Sequence, residues 1–169
     1  TDLIRGEISM DTSDLGDFVI AKNIKEPLFH IAVVIDDAEM GITHIIRGED
    51  HISNTPRHLL LYEALNMPQP QYAHLPLVLA EDRSKLSKRK GAKPISYYRE
   101  QGYLPDGIIN FLSLLGWNDG TDDEIFSFDE LLHTFDISRI QKGGAIFNPV
   151  KLEWVNKEHI KRLSFDTQV

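Results

Sequence analysis

The sequence predicts a mixed α/β fold, with a parallel-sheet unit followed by a small helical bundle. Three observations carry this expectation. Residues 29–35 form a short, nearly continuous apolar run rich in β-branched side chains, the pattern of a strand buried on both faces. Two further apolar runs flank a helical stretch with short links, and strand, helix, strand in that arrangement implies a crossover and a parallel pair. After Gly91 the apolar residues recur at helical spacing.

Taken in order, Phe29 to Ile35 reads as a first strand ending at Asp36-Asp37, and Ile42 to Ile46 as a second, interrupted by Thr43 and His44. Asn54 or Thr55 is suited to cap the next helix, with Pro56 in the first turn where a missing N–H costs little. Leu60, Leu61, Ala64 and Leu65 give that helix an apolar stripe, and residues 66–70 (Asn-Met-Pro-Gln-Pro) stop it. Leu75 to Leu79 reads as a third strand, and residues 81–84 turn the chain into a basic loop. Helices are then expected over Ser96 to Gln101, Asp106 to Leu115, Phe128 to Asp136 and Pro149 to Leu163. In the second of these, Ile108, Ile109, Phe111, Leu112 and Leu115 share a face, and Gly116 can end it. Residues 117–123 make an acidic, turn-rich link, and Lys142-Gly143-Gly144-Ala145 a second break.

Composition sets bounds. The chain has 169 residues, a net charge of −8 and no cysteine, so neither a disulfide framework nor a thiolate zinc site is available and the cytoplasm is the expected compartment. No apolar run approaches the roughly 20 residues that span a bilayer. Seven histidines without a His-Glu-x-x-His pattern give a zinc enzyme little support. Asp36-Asp37 would make a poor chelating pair if both lie on a strand, where neighbours point to opposite faces.

Against the acidic balance, five cations fall between Lys85 and Lys93 without one acid. Two lysines and a serine hydroxyl at the spacing of Lys85, Ser87 and Lys88 can hold a phosphate chain and the charge that builds as pyrophosphate leaves. The competing assignment is a solvated basic loop. By the strand reading, Asp36, Asp37, Arg47 and this loop all lie at the carboxyl ends of strands, where open α/β sheets bind ligands.

Five segments in register resemble the second half of the catalytic domain of bacterial-type class I glutamyl-tRNA synthetases. They are residues 29–37 (FHIAVVIDD), 41–51 (GITHIIRGEDH), 53–57 (SNTPR), 72–77 (YAHLPL) and the loop 85–89 (KLSKR), which is similar to the class I signature loop. Residues 2–7 (DLIRGE) resemble the close of the family's acceptor-binding insertion. Residues 102–105 and 114–117 resemble its helical stem-contact domain. The resemblance implies three parts: the end of the acceptor-binding insertion over 1–24, the C-terminal half of a Rossmann-like catalytic domain over 25–90, and an α-helical stem-contact domain over 91–169.

The implied activity is ATP-dependent ligation of L-glutamate to tRNA(Glu) through a glutamyl-adenylate, with Mg2+ arriving on ATP and no zinc site. Neither step needs a protein nucleophile, so positioning and charge stabilisation should supply most of the rate. By resemblance, Lys88 meets the separating phosphates, Lys85 flanks it, Ser87 offers a hydroxyl or N–H, and Arg89 contacts ATP or holds the loop to the protein body. Asp50 and His51 belong to the nucleotide site, His51 near the adenine, and Leu77 and Val78 meet the base through their backbones. Glutamate falls to Phe29, Val33 and Arg47, because a planar guanidinium grips a carboxylate through two parallel hydrogen bonds. The competing role for Arg47 is an ion pair with Glu49 or Asp50. Lys151, Lys157, His159, Lys161 and Arg162 give the last helix either an RNA-facing surface or a solvated face over buried Leu152, Val155 and Leu163.

Phe29 stands where the family commonly has tyrosine, removing a phenolic donor, and residues 22–27 lack the usual Ser-Asp-Gly turn. The His-x-Gly-His signature is absent. The expectation is therefore an internal piece of a longer synthetase, completed by N-terminal and anticodon-binding parts, with no membrane partner and little activity alone. Two other functions remain open: a related transferase that attaches glutamate to a modified tRNA base, and a non-catalytic RNA-binding module.

Overall fold

The structure is a computed structural model that describes residues 1–163; the last six residues of the span 91–169 lie outside the described residues. The fold is mixed α/β, and the chain forms two compact units, Thr1–Leu75 and a second beginning at Pro76.

In the first unit, β1 (Ala21–Asn23) and β2 (Glu26–Pro27) make a small antiparallel pair. The run expected as a first strand is instead the helix α1 (Phe29–Glu39). Ile31, Val34, Ile35 and Ala38 recur at i, i+3, i+4 and i+7 and pack with Leu61 and Tyr62, so the apolar pattern continues past the two aspartates in helical register. Burial of that stripe outweighs the β-branched preference for strand. Asp36 and Asp37 accordingly lie on a helix, about 100° apart around its axis, and not at a strand's carboxyl end.

The second expected strand is β3 (His44–Gly48), displaced by two residues. It pairs in parallel with β4 (Gln71–Leu75), with Ile45 opposite Tyr72 and Arg47 opposite His74. The crossover between them is α2 (Thr55–Ala64), with Pro56 in its first turn. Neither Asn54 nor Thr55 caps it through a side chain. A 3-10 turn over Glu49–Asn54 leads into the helix, and the Thr55 N–H is already bound to the Ile52 carbonyl. Asn54 turns to His51, 3.1 Å away. The helix ends as expected, with Asn66 in the left-handed region. Residues 2–6 form a tight turn beside β4, with Leu3 N–H donating to Tyr72 O at 2.8 Å.

The third expected strand, Leu75 to Leu79, proves to be two pieces, one in each unit. β4 stops at Leu75, and β5 (Val78–Leu79) pairs in parallel with β6 (Ala145–Ile146). Pro76, between them, has no N–H to donate to a ladder and so does not continue β4. The helices are α3 (Ile95–Glu100), α4 (Pro105–Ser113), α5 (Phe128–Thr134) and α6 (Pro149–Arg162). Each lies within two residues of its expected bounds. α5 begins with a reciprocal capping box between Ser127 and Glu130, and Asn148 caps α6 by accepting from Val150 and Lys151.

α4 and α6 pack closely where Gly107 meets Asn156, over a core of Phe111, Leu152 and Val155. Asn110, fully buried, ties three elements together. Its amide donates to Glu124 O at 3.0 Å, and its oxygen accepts from Phe126 N and His159 Nε2 at 3.0 and 2.9 Å. The basic charges of α6 are largely answered locally: Lys151 pairs with Glu124, Lys157 with Glu153, Lys161 with Glu158, and His159 is buried. Among the described residues no helix is long and apolar enough to cross a membrane.

Candidate active site

Arg47 is the centre of the polar site in the first unit. β3 carries it next to β4, so its guanidinium lies 5.3 Å from the centre of the Tyr72 ring. Nε donates to His74 Nε2 at 3.1 Å, Nη1 to His58 Nδ1 at 3.3 Å, and Nη2 to Thr55 Oγ1 at 2.8 Å and His51 O at 3.3 Å. None of these acceptors is a carboxylate. Glu49 pairs instead with Arg5, at 2.5 Å. A guanidinium carries five N–H groups, so among the described residues one N–H on Nη1 is left after these four bonds. A carboxylate approaching as a fork would take that N–H and displace one contact on Nη2.

The bonds continue on both sides of Arg47. His74 Nδ1 lies 2.6 Å from Asp2 Oδ2, both side chains almost wholly buried. On the other side His58 Nε2 lies 3.0 Å from His30 Nδ1. Because arginine can only donate, the facing nitrogens, His74 Nε2 and His58 Nδ1, must be bare. His74 then holds its proton on Nδ1, toward Asp2. His58 holds its own on Nε2, toward His30.

Burial pushes the His58 imidazole down to about 4, with the Arg47 charge acting in the same direction. His30 is lowered by burial, then by Arg57 and Arg47. Burial lowers Arg47 itself, opposed by Tyr72 and Asp37. Burial raises Asp37, and Asp36 adds to it. For Asp2 burial acts upward, but hydrogen bonds from Arg5 N, His74, Ile4 N and His74 N together hold it below the usual carboxylate range. Among the described residues, the buried hydroxyls of Tyr62 and Tyr72 have no hydrogen-bond partner, and burial raises both phenols.

Phe29, at the first turn of α1, is 54% exposed, its ring centre 5.5, 6.3 and 5.9 Å from those of His30, His51 and His58. Phe29, Arg47 and His51 are thus brought together through His58. Val33 packs on the α1–α2 core. Asp50 is exposed at the start of the 3-10 turn.

The lysine loop belongs to the second unit. A tight turn over residues 80–84 puts Arg83 in the left-handed region, with Asp82 accepting from Ser84. It returns the chain so that Leu86 N–H donates to Val78 O at 2.9 Å. The next residues form a 3-10 turn over Lys88–Lys90, closed by Gly91 at φ 93°. Lys85, Ser87, Lys88 and Arg89 are all exposed, while Leu86 is half-buried as the loop's anchor. The Leu77 and Val78 carbonyls are engaged by Ala145 N and Leu86 N.

Asp2, Thr55, His58, Tyr72 and His74 are not among the site residues expected from the sequence, where Thr55 stands only as a candidate helix cap. The alternation Tyr72-Ala73-His74 in a strand signals one shared face, and the two rings do stack, 6.0 Å apart and nearly parallel. No local pattern announces that Asp2 meets His74 across 72 positions of sequence.

The family described as "tRNA synthetases class I (E and Q), catalytic domain" matches residues 1–154, and the chain belongs to it. Among its relatives, the glutamate–tRNA ligase of Carboxydothermus hydrogenoformans is 51% identical over 160 residues, 95% of this chain and 33% of that protein. That of Aquifex aeolicus is 52% identical over 163 residues, covering 96% and 34%. A crystal structure of a glutamate–tRNA ligase from Elizabethkingia meningosepticum in complex with its amino acid superposes with a TM-score of 0.88 at 39% identity, over 98% of this chain and 37% of that one. The chain corresponds to a stretch of the glutamate–tRNA ligase catalytic domain and spans about a third of the length of the curated relatives it matches.

Proposed function

We propose that this chain supplies the amino-acid pocket and signature loop of a glutamate–tRNA ligase. The reaction is attack of the glutamate α-carboxylate on the α-phosphate of ATP with release of pyrophosphate, then attack of a terminal-ribose hydroxyl of tRNA(Glu) on the glutamyl-adenylate carbonyl with release of AMP. The observation that carries this reading is Arg47, a half-buried cation whose four hydrogen-bond acceptors are all uncharged. Such a site favours an anion, and a carboxylate side chain over its amide. That the Elizabethkingia relative was solved with its amino acid supports the same ligand.

In this reading Arg47, with Phe29 and Val33 along the pocket, takes the glutamate side chain. Lys85, Ser87 and Lys88, all exposed, neutralise the triphosphate as it splits. Asp50, His51, Leu77, Val78 and Arg89 complete the nucleotide site, and Mg2+ enters as part of ATP, bound mainly by phosphate and water. The fold is then the second half of a Rossmann-like catalytic domain over 25–90, preceded by the end of an acceptor-binding insertion over 1–24 and followed by a stem-contact domain over 91–169.

The test is glutamate- and tRNA-dependent ATP–pyrophosphate exchange, with the chain alone and with the remainder of the relatives' length supplied, each beside Lys88→Ala. Exchange that Lys88→Ala suppresses is expected. Silence from a folded, complete assembly would leave a non-catalytic RNA-binding module as the better account.

A further inference from the structure

We propose that Asp2 and His74 are positioning residues for Arg47, fixing its guanidinium for the side-chain carboxylate of the amino-acid substrate. The inference rests on reading Arg47 as the carboxylate receptor. Its geometry does not.

Asp2 divides its two oxygens between two tasks. Oδ1 accepts the N–H groups of Ile4, Arg5 and His74 at 2.9, 2.8 and 3.3 Å. Oδ2 is left for His74 Nδ1 at 2.6 Å. The imidazole is held at its backbone as well: β4 fixes His74 opposite Arg47, and Arg5 Nε donates to His74 O at 3.1 Å. On its far side Nε2 takes the Arg47 Nε–H. A histidine between a fixed carboxylate and a fixed cationic donor has one workable state, neutral with the proton on Nδ1. Protonation of Nε2 would set one N–H against another.

The consequence is directional. With the Nε edge of Arg47 closed by His74, the guanidinium can turn neither about its plane nor toward Asp2. Its open N–H stays on Nη1, and its exchangeable contacts stay on Nη2. Residues 2–6, remote in sequence from the pocket, therefore set the orientation of the group that reads the substrate.

Asp2→Asn tests this because the three backbone N–H groups require an oxygen. The Asn carbonyl stays with them, its NH2 faces His74 Nδ1, and the ring must move its proton to Nε2, against Arg47. Nitrogen-15 NMR of the imidazole in this chain should show wild-type His74 protonated on Nδ1, and Asp2→Asn should move the proton to Nε2. In the complemented exchange assay, Asp2→Asn should raise the glutamate KM roughly ten- to hundredfold with the ATP KM unchanged, the cost of a misplaced binding group. Arg47→Lys should raise it at least as far.

A wild-type proton on Nε2 overturns the proposal without any variant, so an Asp2→Asn chain that fails to fold does not shelter it. If Arg47→Lys raises the glutamate KM while folded Asp2→Asn does not, the positioning role is wrong and the receptor stands. If Arg47→Lys leaves the glutamate KM unchanged, the receptor reading is wrong, and the NMR result then describes a structural tautomer lock alone.

Discussion

His58 Nδ1 lies 3.3 Å from Arg47 Nη1, so the imidazole accepts from the guanidinium and cannot be protonated without opposing it. Its ordinary value of 6.5 falls to about 4 in the fold. Between these values the unfolded chain binds a proton that the folded chain refuses, so stability is full above pH 6.5 and declines as pH falls toward 4. At about 1.4 kcal/mol per unit, the loss approaches about 3 kcal/mol. Urea unfolding across pH 4 to 7 should show this decline, and His58→Gln, which keeps an acceptor but cannot titrate, should flatten it. His30 and His159 are lowered in the same direction, so part of the slope should survive. An unchanged slope in His58→Gln would show that His58 does not titrate in the fold as argued.

Phe29→Tyr should restore a phenolic donor at the mouth of the histidine cluster. The ring is 54% exposed, so stability should move by less than about 0.5 kcal/mol. One hydrogen bond to a charged group is worth roughly tenfold in affinity, and the glutamate KM should fall by that factor in the exchange assay. No change would remove Phe29 from the amino-acid pocket.

The contrast between α1 and β3–α2–β4 shows what the sequence can reveal. The crossover was legible because its stop signals are local: Pro56 at the first turn, Asn66 and two prolines at the end. For residues 29–35 the apolar run is too short to decide by itself. Strand and helix differ only in whether Ala38, beyond two aspartates, belongs to the pattern, and packing against Leu61 and Tyr62 settles that it does. Arg47 and the lysine loop were legible because unusual charge in an apolar or acidic context stands out. The neutral partners of Arg47 were not, since a histidine, a threonine and a tyrosine carry no such contrast. Asp2, 45 positions before Arg47, becomes visible only when the turn over residues 2–6 is seen beside β4.

Gly107→Ala should destabilise the helical unit. A Cβ there would stand 2.9 Å from Asn156 Oδ1 and 3.2 Å from its Cα, and the same oxygen accepts from Leu104 N at 2.8 Å. Alanine's better helix propensity returns up to about 1 kcal/mol, whereas overpacking and a strained buried hydrogen bond cost more, about 1–3 kcal/mol. The net expectation is loss, read as a lower urea midpoint with an unchanged slope. A gain would mean that α4 and α6 separate at little cost.

Tyr62→Phe should stabilise the first unit. Tyr62 is 1% exposed, it packs from α2 onto Ile31 and Val34 of α1, and among the described residues its hydroxyl has no hydrogen-bond partner. A buried hydroxyl without a partner costs about 1–3 kcal/mol of desolvation that phenylalanine avoids while filling nearly the same volume. Loss of the hydroxyl leaves a gap too small to hold water, which takes back part of the gain, so a net rise of about 1 kcal/mol is expected. Thermal unfolding would register this as a higher midpoint. A lower midpoint would instead mean that the hydroxyl is bonded in the fold, so that removing it costs more than its desolvation returns.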